Sequence, residues 1–255
     1  MQKCILIRSY REQDKLSCKR LLEASVMTQL NHTFFGFILA LNIIRMVVVL
    51  SILVMGLLVY AELHIVYCII VMCIPGIILY ISLYTKFRYD AKMIGHEIFD
   101  IPRIYTLNNS SRFWIAELCE DFSVNNQEQN QQYIFITEEE MRTSEVDLSK
   151  YNKKIIGILL FCQSNWQPTH AWIKRFYVLK KYTRKGVGST LLKHALQFAD
   201  EKGYVCVKAT ISQFQKRLMY FYYIKTNYVT VLRDRLSFFV SITLYEFIFR
   251  TKNYR

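Results

Sequence analysis

A long apolar stretch constrains this chain more than any other feature of its sequence. Between residues 46 and 85 the only Asp, Glu, Lys, Arg or His residues are Glu62 and His64. These two residues divide the stretch into apolar runs at 46–61 and 65–84. A helix needs about 20 apolar residues to cross the hydrocarbon of a bilayer. The pattern predicts a helical hairpin that either crosses a membrane twice or enters one leaflet and returns.

The charges that flank this hairpin predict its orientation. Basic residues precede it at Lys19, Arg20 and Arg45 and follow it at Lys86, Arg88 and Lys92. Basic flanks are typical of cytosolic loops, so both ends of the hairpin and the rest of the chain are expected in the cytosol. We therefore expect no glycan on the Asn-X-Ser/Thr sequences at Asn31, Asn108 and Asn109.

The composition narrows the class of partner. The 255 residues include 33 Lys and Arg against 20 Asp and Glu, an excess that favours phosphorylated or other anionic partners. The aromatic residues follow core periodicity instead of alternating with Arg on an open face, which disfavours a nucleic-acid binder. The seven cysteines form no CxxC pair and have no zinc-type spacing, so no metal site is expected.

Outside the apolar stretch the periodicity predicts a mixed α/β domain. Strands are expected at 5–10, 113–118, 154–161, 172–178, 204–211, 228–232 and 237–249, and helices after Asp14, at 187–202 and at 213–226. The polar segment 122–153 is expected to be a surface loop with one helical turn near 138–141.

One segment of this domain suggests chemistry. Residues 178–189 read VLKKYTRKGVGS, which is a strand end, a basic loop with two glycines and a helix start. The first turn of a helix leaves backbone N–H groups unpaired at the positive end of the helix dipole, and together they attract a phosphate. A plain tight turn is the alternative. The segment lacks the Gly-Lys-Ser/Thr of a P-loop and the third glycine of a dinucleotide fold.

Residues Thr183 to Gly188 resemble the acetyl-CoA motif Gln/Arg-x-x-Gly-x-Gly/Ala of the GNAT superfamily, with Thr183 departing at the first position. The start 7–10 with Asp14, the hairpin after the first helix, and the segment 113–117 are similar to camello-like, membrane-bound N-acetyltransferases. The resemblance implies a GNAT-type mixed sheet flanked by helices, with an inserted transmembrane or re-entrant hairpin. It divides the chain into 1–35, the hairpin 36–90, and 91–255 with its polar loop at 122–153.

The resemblance also implies site residues. Backbone groups of a strand that parts from its neighbour would bind pantetheine at Phe176, Tyr177 and Val178, and the loop and helix start would hold the diphosphate at Arg184, Lys185, Gly186, Val187, Gly188 and Ser189. The family often places a tyrosine five residues before the aromatic of a Gly-Phe pair, to protonate the departing thiolate. That pair is Asn227-Tyr228 here, so the tyrosine is Tyr223, with Tyr222 as the competing donor.

Two further residues are candidates for the acceptor side. Removal of a proton from the acceptor ammonium requires a base, and Glu117 on a central strand is the first candidate. Arg175 beside the CoA groove would hold a carboxylate of the acceptor. Core packing for Tyr223, a solvated strand-end position for Glu117 and a plain surface position for Arg175 are the alternatives.

The sequence therefore predicts a membrane-anchored N-acetyltransferase. Acetyl would pass from acetyl-CoA to an amine of a small amino-acid-like molecule or a protein lysine, by direct attack in a ternary complex. No metal takes part, and the bilayer is the expected partner. An intracellular membrane, the endoplasmic reticulum, is the expected location. The alternative is a membrane-tethered module that binds CoA but has lost catalysis.

Overall fold

The computed structural model describes residues 4–40, 42–61, 65–101, 110–121, 133–143, 151–164, 166–226, 228–237 and 240–251. The helices are α1 Lys15–Met27, α2 Leu30–Ala40, α3 Asn42–Tyr60, α4 Ile65–Ile101, α5 Glu138–Thr143, α6 Val187–Glu201 and α7 Lys216–Lys225. The strands are β1 Cys4–Ser9, β2 Arg112–Asp121, β3 Ile134–Thr137, β4 Tyr151–Gln163, β5 His170–Val178, β6 Cys206–Ser212, β7 Tyr228–Ser237 and β8 Val240–Arg250.

The strands form one mixed sheet in the order β3-β1-β2-β4-β5-β6-β8-β7. Strand β1 is parallel to β3, and β5 is parallel to β6, while the other neighbours are antiparallel. The predicted mixed α/β class is confirmed. Strand β3 was not predicted, because its four residues lie in the polar segment that was expected to be a loop.

Helices cover both faces of the sheet. On one face α6 buries the stripe Val187, Leu191, Leu192, Ala195 and Ala199. The stripe lies within the predicted helix 187–202, and its residues recur with the spacing of one helix face. Gly203 follows α6 with φ of 72°, a left-handed conformation that glycine adopts without strain. On the other face α1 packs Cys18, Leu21 and Leu22 against side chains of β2 and β4.

The apolar stretch forms the two predicted helices, α3 and α4, which contact each other as a hairpin. The bend at Glu62 to His64 lies outside the described residues. Within the described ranges, no helix combines the length and the apolar character that a bilayer crossing needs. The predicted membrane crossing is therefore not supported.

Helix α4 is longer than predicted and belongs partly to the sheet domain. It does not end near residue 84 but continues to Ile101, and its second half packs along α1. At Gly95 the two helices lie so close that an added Cβ would be 2.8 Å from a carboxylate oxygen of Glu23 and 3.0 Å from Cε of Lys19. The hairpin is thus anchored to the α/β domain through its own second helix.

Candidate active site

Two parallel strands part in the middle of the sheet. Residues 170–172 of β5 pair with 206–208 of β6, and residues 173–178 of β5, all of them described, have no partner in β6. Strand β5 stays paired with β4 as far as Val178, and β6 stays paired with β8 as far as Ser212. A wedge-shaped gap therefore opens between β5 and β6 toward their carboxyl ends, as predicted for the strand that carries Phe176, Tyr177 and Val178.

A β-bulge lies where the gap begins. The pairing of β4 with β5 steps from Leu160–Arg175 to Phe161–Ile173, so Lys174 is an extra residue on β5. A bulge bends and twists its strand, and this one follows the last β5–β6 pair by two residues. The bulge accounts for the parting of the two strands.

The loop after β5 leads into the uncapped start of α6. The loop turns through two left-handed residues, Arg184 with φ of 61° and Gly186 with φ of 87°. Gly186 is the N-cap of α6, and no side chain caps the helix. The first intrahelical bond runs from the Thr190 amide to the Gly186 carbonyl at 3.0 Å, so the amides of residues 187–189 have no helical acceptor. This arrangement suits an anion.

The residues around these amides differ in exposure. The loop residues 183–186 are exposed and Gly188 and Ser189 are half-buried, whereas Val187 is fully buried. Thr183 turns its hydroxyl back onto the Lys180 carbonyl at 2.8 Å, while Arg184 is exposed. Lys185 donates to the Tyr133 hydroxyl at 3.0 Å. Gly188 is half-buried, and a Cβ there would lie 3.1 Å from the ring of Phe176. The phosphate-binding residues expected from the sequence are thus adjacent to the gap residue Phe176.

Helix α7 places its two candidate tyrosines in different environments. Tyr222 is 1% exposed and packs against Phe176, Phe247 and Phe249, whereas Tyr223 is 67% exposed. Burial raises the pKa of Tyr222, which opposes its ionisation. Of these two candidate tyrosines, only Tyr223 has a solvent-accessible ring. Asn227, which follows α7, lies outside the described residues.

A buried ion cluster lies on the α1 face of the sheet. Arg8 donates to both oxygens of Asp14 at 2.6 and 2.8 Å, and to both oxygens of Glu117 at 3.0 and 2.8 Å. All three residues are buried. Burial alone would lower the pKa of Arg8, but its hydrogen bonds to Asp14 and Glu117 raise it, so the guanidinium stays charged. We refer to Arg8, Asp14 and Glu117 as the Arg8 cluster.

The sequence suggested different roles for two members of this cluster. The alternative interpretation, in which Glu117 is a solvated residue at the end of a strand, is wrong. Glu117 is 6% exposed, and β2 continues beyond it to Asp121. Asp14 stands at the N-cap of α1 but makes no side-chain cap. Instead it accepts bonds from Arg8 and from the Arg11 amide, the latter at 2.9 Å.

The Arg8 cluster borders an open cleft of about 410 Å³ between α1, β2 and β4. Its lining includes the carboxylate residues Asp14 and Glu117, and the cationic residues Arg20, Lys153 and Lys154. Leu179, directly after the gap strand β5, also lines it. Arg175 is half-buried on β5, opposite Leu160 of β4, and is not among the lining residues. The cleft therefore brings Glu117 close to the end of β5 but does not include Arg175.

Sequence reasoning missed three residues of the site. Arg8 was noted only as part of a resemblance, although a charged residue directly after the apolar run 4–7 signals a buried partner. Tyr133 and Phe135 were assigned to a loop. Phe135 packs at Gly186, where an added Cβ would lie 3.0 Å from its ring. No local pattern predicts this contact, because β3 reaches the loop only through its pairing with β1.

In the described part of the chain, no group of three or more His, Cys, Asp and Glu side chains is arranged to hold a metal ion. Three features of the described part of the chain are candidates for binding: the amides of Gly188 and Ser189 at the start of α6, the unpaired edge of β5 and the cleft beside the Arg8 cluster. Together they suit a phosphorylated ligand on one side of the sheet and a charged small molecule on the other.

A comparison with protein families agrees with this geometry. Residues 103–223 match the model of the acetyltransferase (GNAT) family, a segment just under half of the 255 residues. The matched segment contains the gap, the loop at 179–186 and most of α7. We call this loop the phosphate loop, after the ligand that the sequence predicts for it. The match supports assignment to GNAT acetyltransferases. No curated protein matches the chain in a sequence search.

Three acetyltransferases of known structure align with the chain at low sequence identity and with TM-scores below 0.5. A GNAT-family acetyltransferase from Staphylococcus aureus Mu50 is 12% identical, with 96% of this chain and 98% of that chain covered and a TM-score of 0.45. The PaiA N-acetyltransferase from Thermoplasma acidophilum, in complex with coenzyme A, is 14% identical, with coverages of 94% and 97% and a TM-score of 0.41. A streptothricin acetyltransferase from Bacillus anthracis, in complex with acetyl coenzyme A, is 16% identical, with coverages of 57% and 66% and a TM-score of 0.37.

Proposed function

We propose that this chain, whose residues 103–223 match the GNAT acetyltransferase family, is an acetyl-CoA-dependent N-acetyltransferase. The observation that carries the proposal is the gap between β5 and β6 beside the uncapped start of α6. The gap exposes backbone groups of one strand over residues 173–178, and the free amides lie where the same strand ends. One extended molecule with a diphosphate and an amide-containing arm matches both features.

Backbone groups would do most of the binding. The amides of Gly188 and Ser189 would hold the diphosphate, because they have no helical acceptor and stand at the positive end of α6, whereas Val187 is fully buried. Arg184 and Lys185 would add attraction for the phosphates but little binding energy, since exposed charges are screened by solvent. The free edge of β5 at Phe176, Tyr177 and Val178 would pair with the pantetheine amides. Acetyl-CoA supplies the acetyl group as a thioester.

Tyr223 would act as the general acid. The amine nitrogen forms a bond to the carbonyl carbon, the carbon–sulfur bond breaks, and the sulfur leaves with the bonding electron pair. A proton from the Tyr223 hydroxyl would neutralise that sulfur. Its 67% exposure supports this role over Tyr222, which is enclosed by aromatic rings. A backbone N–H near Val178 would polarise the carbonyl.

The acceptor would enter from the cleft beside the Arg8 cluster. Glu117 would take the ammonium proton directly or through a water, and Arg8 would hold its carboxylate in one orientation. The cleft carries both acidic and basic residues, which supports an amine that also bears an acidic group, as in a small amino-acid-like molecule or a lysine in a peptide. Arg175 remains a proposed contact for that acidic group.

We also propose the finer, camello-like assignment, in which the hairpin attaches the enzyme to an intracellular membrane, the endoplasmic reticulum, with the catalytic domain in the cytosol. The exposed apolar side chains of α3 and α4 support attachment. Leu53, Leu57 and Ile78 are each more than 60% exposed. A re-entrant hairpin fits this surface without a crossing. Flotation with liposomes tests attachment, and a mobility shift on glycosidase treatment would contradict the cytosolic side.

The proposed activity is tested by the release of free CoA thiol from acetyl-CoA, with and without a panel of amines. An enzyme releases CoA faster with at least one amine and yields an acetylated product by mass spectrometry. Binding of acetyl-CoA without amine-dependent release over a panel of amino acids, polyamines and lysine peptides would instead identify the degenerate module. Failure to bind acetyl-CoA at all would refute both functions.

A further inference from the structure

The segment that joins β6 to α7 is packed directly on α2. A Cβ added to Gly36 of α2 would lie 2.2 Å from Cδ1 and 2.5 Å from Cε1 of Phe214. No real Cβ approaches an atom so closely, so the Phe214 ring occupies the space that any side chain at residue 36 would need. The ring therefore rests on the backbone of α2.

Two further contacts hold the same segment. Phe37, the next residue of α2, stacks on Phe214 with ring centroids 5.1 Å apart and planes 24° apart. The Gln215 side-chain amide donates to the Gln29 side-chain carbonyl just before α2. Gln215 is the N-cap of α7 and accepts the Met219 amide at 3.0 Å. We refer to Gln29, Gly36, Phe37, Phe214 and Gln215 as the α2 clamp, which fixes the start of α7.

The second half of α7 contacts β5, the strand that borders the gap. Phe221 stacks on Phe176 of β5 with ring centroids 5.6 Å apart and planes 18° apart. A Cβ at Gly188 would lie 3.8 Å from Phe221, so α7 also reaches the start of α6. In the gap no β5–β6 hydrogen bonds fix the spacing. Packing of α7 against β5 therefore contributes to the width of the gap.

From these contacts we infer that the α2 clamp positions α7 for binding of the pantetheine arm, with Phe214 and Gly36 as positioning residues. This inference rests on the proposed function, because it assigns the gap to that arm. Neither residue is part of the site itself. Helix α2 leads directly into the α3–α4 hairpin, so the clamp also joins the hairpin to the ligand gap.

The substitution Gly36→Ala tests the clamp with the smallest change. It requires the Phe214 ring to move by about 1 Å to reach ordinary contact distance, and a displacement of that size is enough to impair a binding site. Gly56 of α3 is the matched control, because a Cβ there meets nothing within 4 Å. Alanine is favoured over glycine inside a helix, so neither substitution should disturb helix formation itself.

Two ligands separate a shifted α7 from a damaged fold. Coenzyme A contacts both the phosphate loop and the gap, whereas adenosine 3′-phosphate 5′-diphosphate lacks the pantetheine arm. By calorimetry on the full chain, Gly36→Ala should weaken coenzyme A binding at least tenfold and change binding of the nucleotide less than twofold. Gly56→Ala should leave both affinities unchanged. The double variant Gly36→Ala/Phe214→Leu should recover most of the coenzyme A affinity, because the smaller side chain makes room.

Other outcomes overturn the inference. It fails if Gly36→Ala binds coenzyme A as tightly as Gly56→Ala, or if it loses affinity for both ligands equally. If Gly36→Ala does not fold, the single variant Phe214→Leu tests the inference in its place. Weaker binding of coenzyme A with unchanged binding of the nucleotide supports the clamp. Unchanged binding of both ligands refutes it. If the unmodified chain binds neither ligand, the proposed function fails and the inference fails with it.

Discussion

The phosphate loop and the Arg8 cluster are built on opposite principles. The loop at 183–186 is exposed, and the groups proposed to bind there are backbone amides at the start of one helix. The Arg8 cluster is buried, and its binding groups are charged side chains from β1, β2 and the segment between β1 and α1. Arg8 and Glu117 are separated by 109 residues.

The two regions should therefore tolerate substitutions differently. Backbone amides remain when side chains are exchanged, so the loop depends on its conformation and on small residues. A buried cation between two carboxylates depends on the identity of each side chain, because removal of one partner leaves uncompensated charge in a region of low polarity. Substitutions should therefore affect stability at the cluster and ligand affinity at the loop.

The largest effect is expected for Arg8→Ala. This change leaves Asp14 and Glu117 buried without their cation, and the loss of one partner from a buried ion pair costs about 3 to 5 kcal/mol. Urea unfolding followed by circular dichroism measures it. Arg11→Ala is the control, because Arg11 is 48% exposed in its pair with Glu138 and such pairs contribute about 0 to 1 kcal/mol. If the two variants were equally stable, the Arg8 cluster would contribute no more to stability than an exposed ion pair.

Tyr223→Phe is expected to have the next largest effect, and it acts on rate only. Loss of a general acid lowers kcat about 100-fold, while the exposed hydroxyl contributes little to stability. Tyr222→Phe is the matched variant on the buried side of α7, and its kcat should stay within about threefold of the unmodified chain. A larger loss of kcat in Tyr222→Phe would reverse the assignment of the two tyrosines.

Gly188→Val should weaken acetyl-CoA binding about tenfold or more, and the over-packing should also lower the free energy of unfolding by about 1 to 3 kcal/mol. The new side chain would press against the Phe176 ring, 3.1 Å from its Cβ, and would crowd the ligand at the start of α6. Calorimetric titration with acetyl-CoA measures the effect. Gly56→Val, where an added Cβ meets nothing, should bind normally. Unchanged affinity in Gly188→Val would show that the loop does not hold the phosphates.

The smallest effect is expected for Arg184→Ala. Arg184 is exposed, so its attraction for phosphate is screened, and acetyl-CoA affinity should fall only about two- to threefold at low salt. The difference should disappear near 1 M salt, where the screening length is about 3 Å. Lys193→Ala, an exposed change farther along α6, should bind normally at either salt concentration. A loss that persists at high salt would mean that the arginine makes a direct, buried contact.

Much of the fold could be predicted from periodicity. The strands β4 and β5 and the helix α6 lie close to their predicted ranges. Helix α6 repeats its apolar residues with the helical period, whereas β4 carries a short continuous apolar run that is buried on both faces. Strand β3 was missed because its four residues, although β-branched or aromatic, lie inside the long polar segment that was expected to be a loop. It pairs with β1 at the edge of the sheet. Helix α4 was placed too short because its second half is amphipathic instead of uniformly apolar.

Some features of the molecule depend only on residues that are close together in the chain. These are the conformation of the phosphate loop, the stripe of α6 and the two helices of the hairpin, and each follows from local conformational preference or helical period. The tertiary fold set which faces meet. It buried Tyr222 and exposed Tyr223, paired Glu117 with Arg8, and laid Phe214 on Gly36. These contacts join residues far apart in the chain, and the packing of whole helices and strands sets them.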